Sequence, residues 1–514
     1  MAYLRMPFCS PYKLVWPLVV PPTQPGDVIH RAYAGHVWRA HWTKALPVAL
    51  FYGIVWPLPF AWLSYKHTAR LGGKVKAATG KGRLRQVAEQ LWVAFRHSIS
   101  PKKYYVFELF RPERFRNAGQ YVARYEFKGG LHNLLESRIE SPTRCILNDK
   151  VAFHRHCQAH DLPTVPTFLM VERDGSVTRM DSFQGQLPKR DLFIKPVRGR
   201  GGRGCERWRW LGGIGYVDQR GTVLPESQLL AHATRLAAAG AVLVQAALQA
   251  HGDLRDLALN VLTSCRIMTV RNEAGGFEAT HAVFKSSTRP DAIVDNFHRG
   301  GIVSRVDIRT GRLGPASDAG VGQPCVWYER HPLTDAQIAG RRLPMWDQVI
   351  DAVCRAHAAF PDRVTVGWDV SITDDGPVIL EGNVQSGCDM IQRTHDLPAG
   401  IGRLGECYAY HVKEALKRGT SASFRLRRAN ARRRRRARWA ARLGLSGLAA
   451  SQIRGLIGSR IASGEWGPGA SLPCERALCK EFKVSEQVMR RCLGDLAQVG
   501  AIKRGTARWQ VARQ

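Results

Sequence analysis

Three oxygen-bearing side chains stand close together in one short stretch of this chain. Residues 364–383, VTVGWDVSITDDGPVILEGN, read as two β-strands around Asp374-Asp375-Gly376, a composition suited to a tight hairpin. With a three-residue loop Thr373 pairs with Pro377, and counting outward sets Asp369 opposite Glu381. Asn383 shares the face of Glu381, because side chains two apart in a strand point the same way. Carboxylate and amide oxygens without histidine suit Mg²⁺ bridging nucleotide phosphates and argue against zinc or copper. Val366, Trp368, Val370, Ile379 and Leu380 read as buried, which speaks against a solvated hairpin with incidental acids.

A second segment, DLFIKPVRGRGGRG at 191–204, reads as a short buried strand ending in Lys195, followed by Gly199, Gly201, Gly202 and Gly204. Glycines let backbone amides approach phosphate oxygens, and the lysine adds a point charge beside them. No Gly-Lys-Ser/Thr closes the loop, so it is not a Walker motif, and alone it could equally be a flexible hairpin. In FHRHCQAH, His154, His156, Cys157 and His160 place two histidines one helical turn apart; a metal or an exposed polar helix face accounts for them equally. His251 and His281 are single histidines, open to a role as bases or to a structural one. No Ser-His-Asp or Cys-His constellation stands out.

The elements that must carry these residues follow from composition. A chain of 514 residues, 45% hydrophobic and 23% charged, holds two to four domains. Residues 1–100 carry 13 basic and 2 acidic side chains and residues 421–514 carry 21 and 5, so the flanks hold +27 of the net +34. A nearly balanced middle with basic flanks describes an enzyme-like core whose appendages face anionic partners, nucleic acid or membrane. Twelve cysteines without a CxxC pair indicate a reducing compartment, and prolines at 7, 11, 17, 21 and 22 break any signal-peptide core. The expected localisation is cytoplasmic, peripheral at the inner membrane face if the N-terminal region binds lipid. Residues 45–65 are uncharged and long enough to cross a bilayer, but Pro47, Pro57 and Pro59 interrupt them and Trp56, Trp62 and Tyr65 favour an interface. A buried helical hairpin and an anionic membrane contact, aided by the basic run from Lys66 to Arg85, both remain open. Residues 84–97 form an amphipathic helix with Leu84, Val87, Ala88, Leu91 and Phe95 on one stripe.

From residue 148 short strands alternate with helices, an α+β or α/β texture. Residues 421–445 hold ten Arg and no acid, as a helix extension, a solvated linker or an anion-binding segment. After them Ile453, Leu456, Ile457 and Ile461 share one helix face, residues 474–482 make a second helix, and Ser485 caps a third running to Gly500, a helix-turn-helix spacing.

In order along the chain, NDKVAFHRH, LFIKPVRGRGGRG, VLVQAAL, SCRIMTV, VDNFHRGGI and GWDVSIT…VILEGN resemble the ATP-grasp superfamily and, more narrowly, its sugar-transfer-associated family, over residues 100–400. The resemblance implies an α+β fold with Lys150 and Lys195 on two strands over the triphosphate of ATP, and Gly201, Gly202 and Gly204 in the phosphate loop. It implies an adenine-reading hinge at 242–248 with Val244, Gln245 and Leu248, where Gln245 replaces the Glu of many relatives. Arg266 would contact the transferred phosphoryl group, Asp369, Glu381 and Asn383 would hold Mg²⁺, and Asp295 and Asn296, beside Gly300 and Gly301, would face the substrate. Thr263-Ser264-Cys265 departs from the expected Asn-Thr approach to that arginine. The implied activity is ADP-forming ligation of a carboxylate to an amine through an acyl phosphate, in cell-surface saccharide or related metabolite synthesis.

Residues 450–514 resemble the winged helix of the GntR regulators, which implies DNA contacts through Arg476, Arg490, Arg491 and Arg504, with Lys480, Lys503 and Arg508 nearby. Glu486 stands where relatives commonly have Arg. The expected organisation is a helical N-terminal region (1–100), an ATP-grasp domain (101–405), a helix and Arg-rich linker (406–449) and the winged helix (450–514). The alternatives are a DNA-binding regulator with an ATP-grasp-derived sensor and a membrane-attached scaffold.

Overall fold

The computed structural model describes residues 11–136, 147, 149–180, 183, 186–197, 204–259, 261–290, 292, 301–318, 324–384, 386–395, 397–417, 450–482, 484, 486–505 and 508–512. The Arg-rich stretch 421–445, Gly201, Gly202, Asp295, Asn296, Gly300 and Ser485 fall outside them. Two compact units partition the chain, residues 1–419 and 420–514.

The first unit opens with helices α1 (Pro25–Val55) and α2 (Pro57–Thr79), which meet at Trp56, where Pro57 withdraws a backbone donor. The hairpin lies further along than residues 45–65: α2 turns back into α3 (Arg83–His97) through Gly80, a left-handed cap at φ +73 that donates to the Lys76 carbonyl. The buried stripe of α3 is not the expected apolar one. Gln86, Gln90, Val93 and Ala94 face inward and Leu84 is exposed, because the glutamines bond the Gly72 carbonyl (3.1 Å) and Thr68 Oγ1 (2.8 Å) on α2. Amide N–H groups that find acceptors can be buried at lower cost than unpaired ones. Among the described residues no helix is long and apolar enough to cross a membrane.

Helix α4 (Lys150–Gln158) precedes a seven-stranded sheet formed by β1 (Thr167–Val171), β2 (Val177–Arg179), β3 (Leu192–Pro196), β4 (Glu206–Trp210), β5 (Tyr216–Val217), β6 (Val223–Leu224) and β7 (Val242–Ala246), in the order β2-β1-β7-β3-β4-β5-β6. A six-stranded sheet follows: β8 (Ser264–Arg271), β9 (Phe277–Ser287), β10 (Gly301–Val306), β11 (Leu313–Ser317), β12 (Thr365–Thr373) and β13 (Gly376–Asn383), in the order β11-β10-β9-β8-β12-β13. Every pairing between these named strands is antiparallel, so the class is α+β.

Period-two alternation divides the second sheet into a core face and a chemical face. Ile267, Ala282, Phe284, Trp368, Val370 and Ile372 pack with Trp346, Val349 and Val353 of helix α5 (Trp346–Ala358) in the largest core of the unit. The residues between them, Arg266, Lys285 and Asp369, project from the opposite face. Helix α6 (Arg403–Lys417) buries Leu404, Cys407, Tyr408 and Val412 against Ile29, Tyr33 and Val37 of α1.

The second unit has its own core. Helices α7 (Ala450–Ala462), α8 (Glu475–Glu481) and α9 (Glu486–Gln498) enclose Ile453, Ile457, Leu478, Met489 and Leu493 with Ile502 and Val511 of a hairpin, β14 (Ile502–Arg504) and β15 (Trp509–Val511). Leu456, expected on the inner face, is exposed.

Candidate active site

The β12–β13 loop has two residues rather than three: Thr373 pairs with Gly376 and Ile372 with Pro377. Gly376, at φ +122, adopts a backbone that side chains with a Cβ rarely reach, and its carbonyl accepts from Thr373 Oγ1 at 2.9 Å. Continued without interruption, this register would set Asp369 against Leu380 and turn the acids to opposite faces. A bulge next to Asp369 absorbs Leu380, so Asp369 stands opposite Glu381 after all. The expected pairing is present, reached through a different turn.

Asp369 is the most constrained group here. On the next strand Arg266 sits directly across from it and donates twice, Nε to Oδ1 at 2.8 Å and a terminal nitrogen to Oδ2 at 2.7 Å. Lys285 Nζ reaches Oδ1 at 3.1 Å from β9. Burial opposes the charge of Asp369, but the Arg266 and Lys285 cations overcome it and hold the carboxyl well below the usual carboxylate range. Asn383 Nδ2 donates to Glu381 Oε1 at 3.0 Å and lies 3.4 Å from Asp369 Oδ2, so the three expected oxygen-bearing residues do converge. Ser386 Oγ accepts from Arg266 at 3.1 Å, an approach that Gly367 permits: a Cβ there would lie 2.3 Å from that oxygen. Sequence reasoning missed Lys285 and Ser386. The available signal was a lysine in AVFKSS, one place from Phe284 in an otherwise apolar strand.

The first sheet supplies the facing wall. Lys150, Lys195 and Gln245 line one cleft with Ile379 and Leu380 of β13. Burial and the neighbouring Lys150 push Lys195 down to about 8, while Glu381 acts in the opposite direction. Lys195 lies on β3 as expected, but Lys150 is not on a strand. It is the first residue of α4, because the Asp149 carboxylate caps the helix by accepting the amides of Val151 and Ala152, both at 3.1 Å. Its ammonium still reaches the same wall, donating to the Pro196 carbonyl at 2.8 Å.

Within the expected hinge, Val244 is enclosed in the sheet core and Gln245 spends its amide on Thr167 Oγ1 at 2.6 Å. Leu248 lies half-buried just past the strand. Gly204 closes the glycine-rich loop at φ +72.

His156 and His160 do lie close, ring centroids 4.5 Å apart, but the cluster does not make a ligand set. His156 bonds the Ala359 carbonyl at 2.8 Å, and among the described residues no group of three His, Cys, Asp or Glu is placed to hold a metal. His251 Nδ1 accepts the Asp253 amide at 3.1 Å as a cap. Burial and the nearby His395 push His281 down to about 3, which leaves it neutral.

In the second unit Arg476, Arg491 and Arg504 are exposed, with Lys480, Lys503 and Arg508 also at the surface. Arg490 is different. Its guanidinium is engaged by Glu475 at 2.8 Å and by Glu486 at 3.4 Å, which neutralises the start of α9.

Two sheets facing one lysine-lined cleft, with an Asp-Glu-Asn set on the hairpin of the second, define an ATP-grasp protein. A family model for sugar-transfer associated ATP-grasp matches residues 133–397, just over half of the chain, and the chain belongs to that family. Residues 449–508 match the bacterial regulatory proteins of the gntR family. No curated protein matches. Among solved structures the chain is similar to an L-amino acid ligase from Bacillus licheniformis (12% identity, 52% of this chain and 48% of that one, TM-score 0.29). It is similar also to the VanG D-Ala:D-Ser ligase from Enterococcus faecalis (13%, 52% and 61%, TM-score 0.30). A third is the D-alanine–D-alanine ligase from Bacillus anthracis complexed with ATP (11%, 55% and 68%, TM-score 0.28). The chain thus spans about half to two thirds of the length of these structures.

Proposed function

We propose that the first unit is an ATP-dependent, ADP-forming ligase that joins a carboxylate to an amine. The observation that carries this reading is the meeting of Asp369, Glu381 and Asn383 with Arg266 and Lys285 on one sheet face, with Lys150 and Lys195 in a cleft bounded by Ile379 and Leu380 of the same hairpin and Glu381 close enough to act on Lys195. Oxygen donors only, two of them carboxylates, fit Mg²⁺, and Asp369, Glu381 and Asn383 would hold it; when bound, it supplies positive charge to phosphate oxygens. Lys195 and Lys150 would bind the phosphates, and the backbone at 246–248 would take the adenine edge. A substrate carboxylate oxygen would attack the γ-phosphorus while ADP leaves, and the amine would then attack the acyl carbon and release phosphate. Arg266 would orient the moving phosphoryl oxygens, and Lys285 would position Asp369. Asp295 and Asn296 are proposed on the substrate side from the sequence alone. The family description suggests a product in saccharide or related metabolite assembly.

The test is Mg-dependent release of ADP, not AMP, upon addition of carboxylate and amine pairs. AMP as product, or no nucleotide binding, would overturn the reading. The gntR-type module favours a second role, DNA binding through Arg476, Arg491, Lys503 and Arg504, with or without ligation. A regulator whose core only senses ATP would bind nucleotide and release no ADP with any substrate pair.

A further inference from the structure

Between Asp27 and Glu89 lie 61 residues with ten Lys and Arg and no acid. One face of α2 packs inward through Phe60, Ser64, Thr68, Leu71 and Val75. A neighbouring face is apolar and, among the described residues, uncovered. Ile54 at the end of α1 is 80% exposed, and Leu58, Trp62 and Tyr65 are 74%, 59% and 70% exposed. Their spacing of four, four and three residues is that of one helix stripe. The same spacing continues through Ala69 and Gly73 to exposed Lys76, and exposed Lys66 and Arg70 flank it, with the Lys66 ammonium 4.9 Å over the Trp62 ring. Trp16 and Trp56 both pack on Phe95, which brings the short Trp16–Val19 helix, with exposed Leu18 and Val19, to the Ile54 end of the stripe.

We infer that this stripe is a membrane-docking surface, on which Ile54, Leu58, Trp62 and Tyr65 enter the headgroup boundary of an anionic bilayer while Lys66, Arg70 and Lys76 meet its phosphates. An apolar row graded through Trp and Tyr into cations matches the polarity gradient of an anionic lipid surface. A second copy of the chain is the weaker occupant, because a two-fold interface would set this acid-free basic face against itself. Docking lies beyond the ligase reading and does not depend on it.

The test is sedimentation of the full chain with vesicles of phosphatidylcholine, alone or with about one third phosphatidylglycerol. Wild type is expected to bind the mixed vesicles and barely the neutral ones. The Arg-rich stretch 421–445 can also attract anionic lipid, so the apolar stripe decides. Leu58→Ser/Trp62→Ser/Tyr65→Ser should weaken partitioning at least about tenfold with thermal unfolding unchanged, since all three side chains are exposed. Lys66→Glu/Arg70→Glu/Lys76→Glu should weaken it most at low salt. No binding to mixed vesicles, wild-type binding by the apolar variant, or a dimer in light scattering that this variant abolishes would each overturn the proposal.

Discussion

Replacing Glu381 by Gln removes one negative charge from the oxygen set and leaves its size and its acceptance of the Asn383 amide (3.0 Å) intact. Replacing Asp369 by Asn removes one charge too, but with a different structural consequence. Glu381 is half-buried with a neutral donor beside it, so Glu381→Gln should cost about 1 kcal/mol of stability or less. Asp369 is only 6% exposed and engages two cations, Arg266 at 2.7–2.8 Å and Lys285 at 3.1 Å. Its neutralisation leaves both facing an amide in a buried site, and stripping one partner from such a pair typically costs about 3–5 kcal/mol. Both variants lose a carboxylate proposed to hold the metal, and turnover should fall at least about 100-fold in each, equivalent to about 2.7 kcal/mol of barrier. The assay is ADP release through a Mg²⁺ titration beside urea unfolding of the same preparations. Glu381→Gln within about threefold of wild-type turnover at all Mg²⁺ levels would refute the metal assignment. An Asp369→Asn protein as stable as wild type would refute the account of the cation clasp.

Lys285→Met should lower half-saturating Mg²⁺, by about fivefold if the lost competition is worth about 1 kcal/mol, while costing about 1.5–3 kcal/mol of stability; an unchanged Mg²⁺ curve would show that Lys285 does not compete for Asp369. Lys195, pushed down to about 8 by burial and Lys150, is charged below that pH and neutral well above it. A bound triphosphate favours the cation, so nucleotide binding above about pH 8 should take up a proton, and affinity should fall as pH rises. Calorimetry in buffers of different ionisation heat reads the uptake, and Lys195→Met should abolish it along with much of the affinity. In the second unit, Glu486→Arg frees Arg490 from one partner and adds a cation, so DNA binding should tighten and its salt dependence steepen; a filter-binding series unchanged in both would argue for a protein-interaction module.

What the sequence determined by itself was local. The Asp-Glu-Asn hairpin, the Lys195 strand, the α+β texture and the three-helix module at the end follow from alternation, turn residues and spacing, which act over a few neighbours. The tertiary structure decided what depends on register and on distant partners. The turn proved one residue shorter than counted, and only a bulge at Leu380 restored Asp369 to Glu381, because a single-residue slip exchanges the faces of a strand. Lys150 moved from strand to helix because Asp149 could cap it. Two glutamines displaced leucine from the inner face of α3 because carbonyl and hydroxyl partners waited on α2. Lys285 joined the site from 84 residues away, since Asp369 Oδ1, already accepting from Arg266, keeps a second lone pair for another cation, and no local pattern records a pairing made only when β8, β9 and β12 lie side by side.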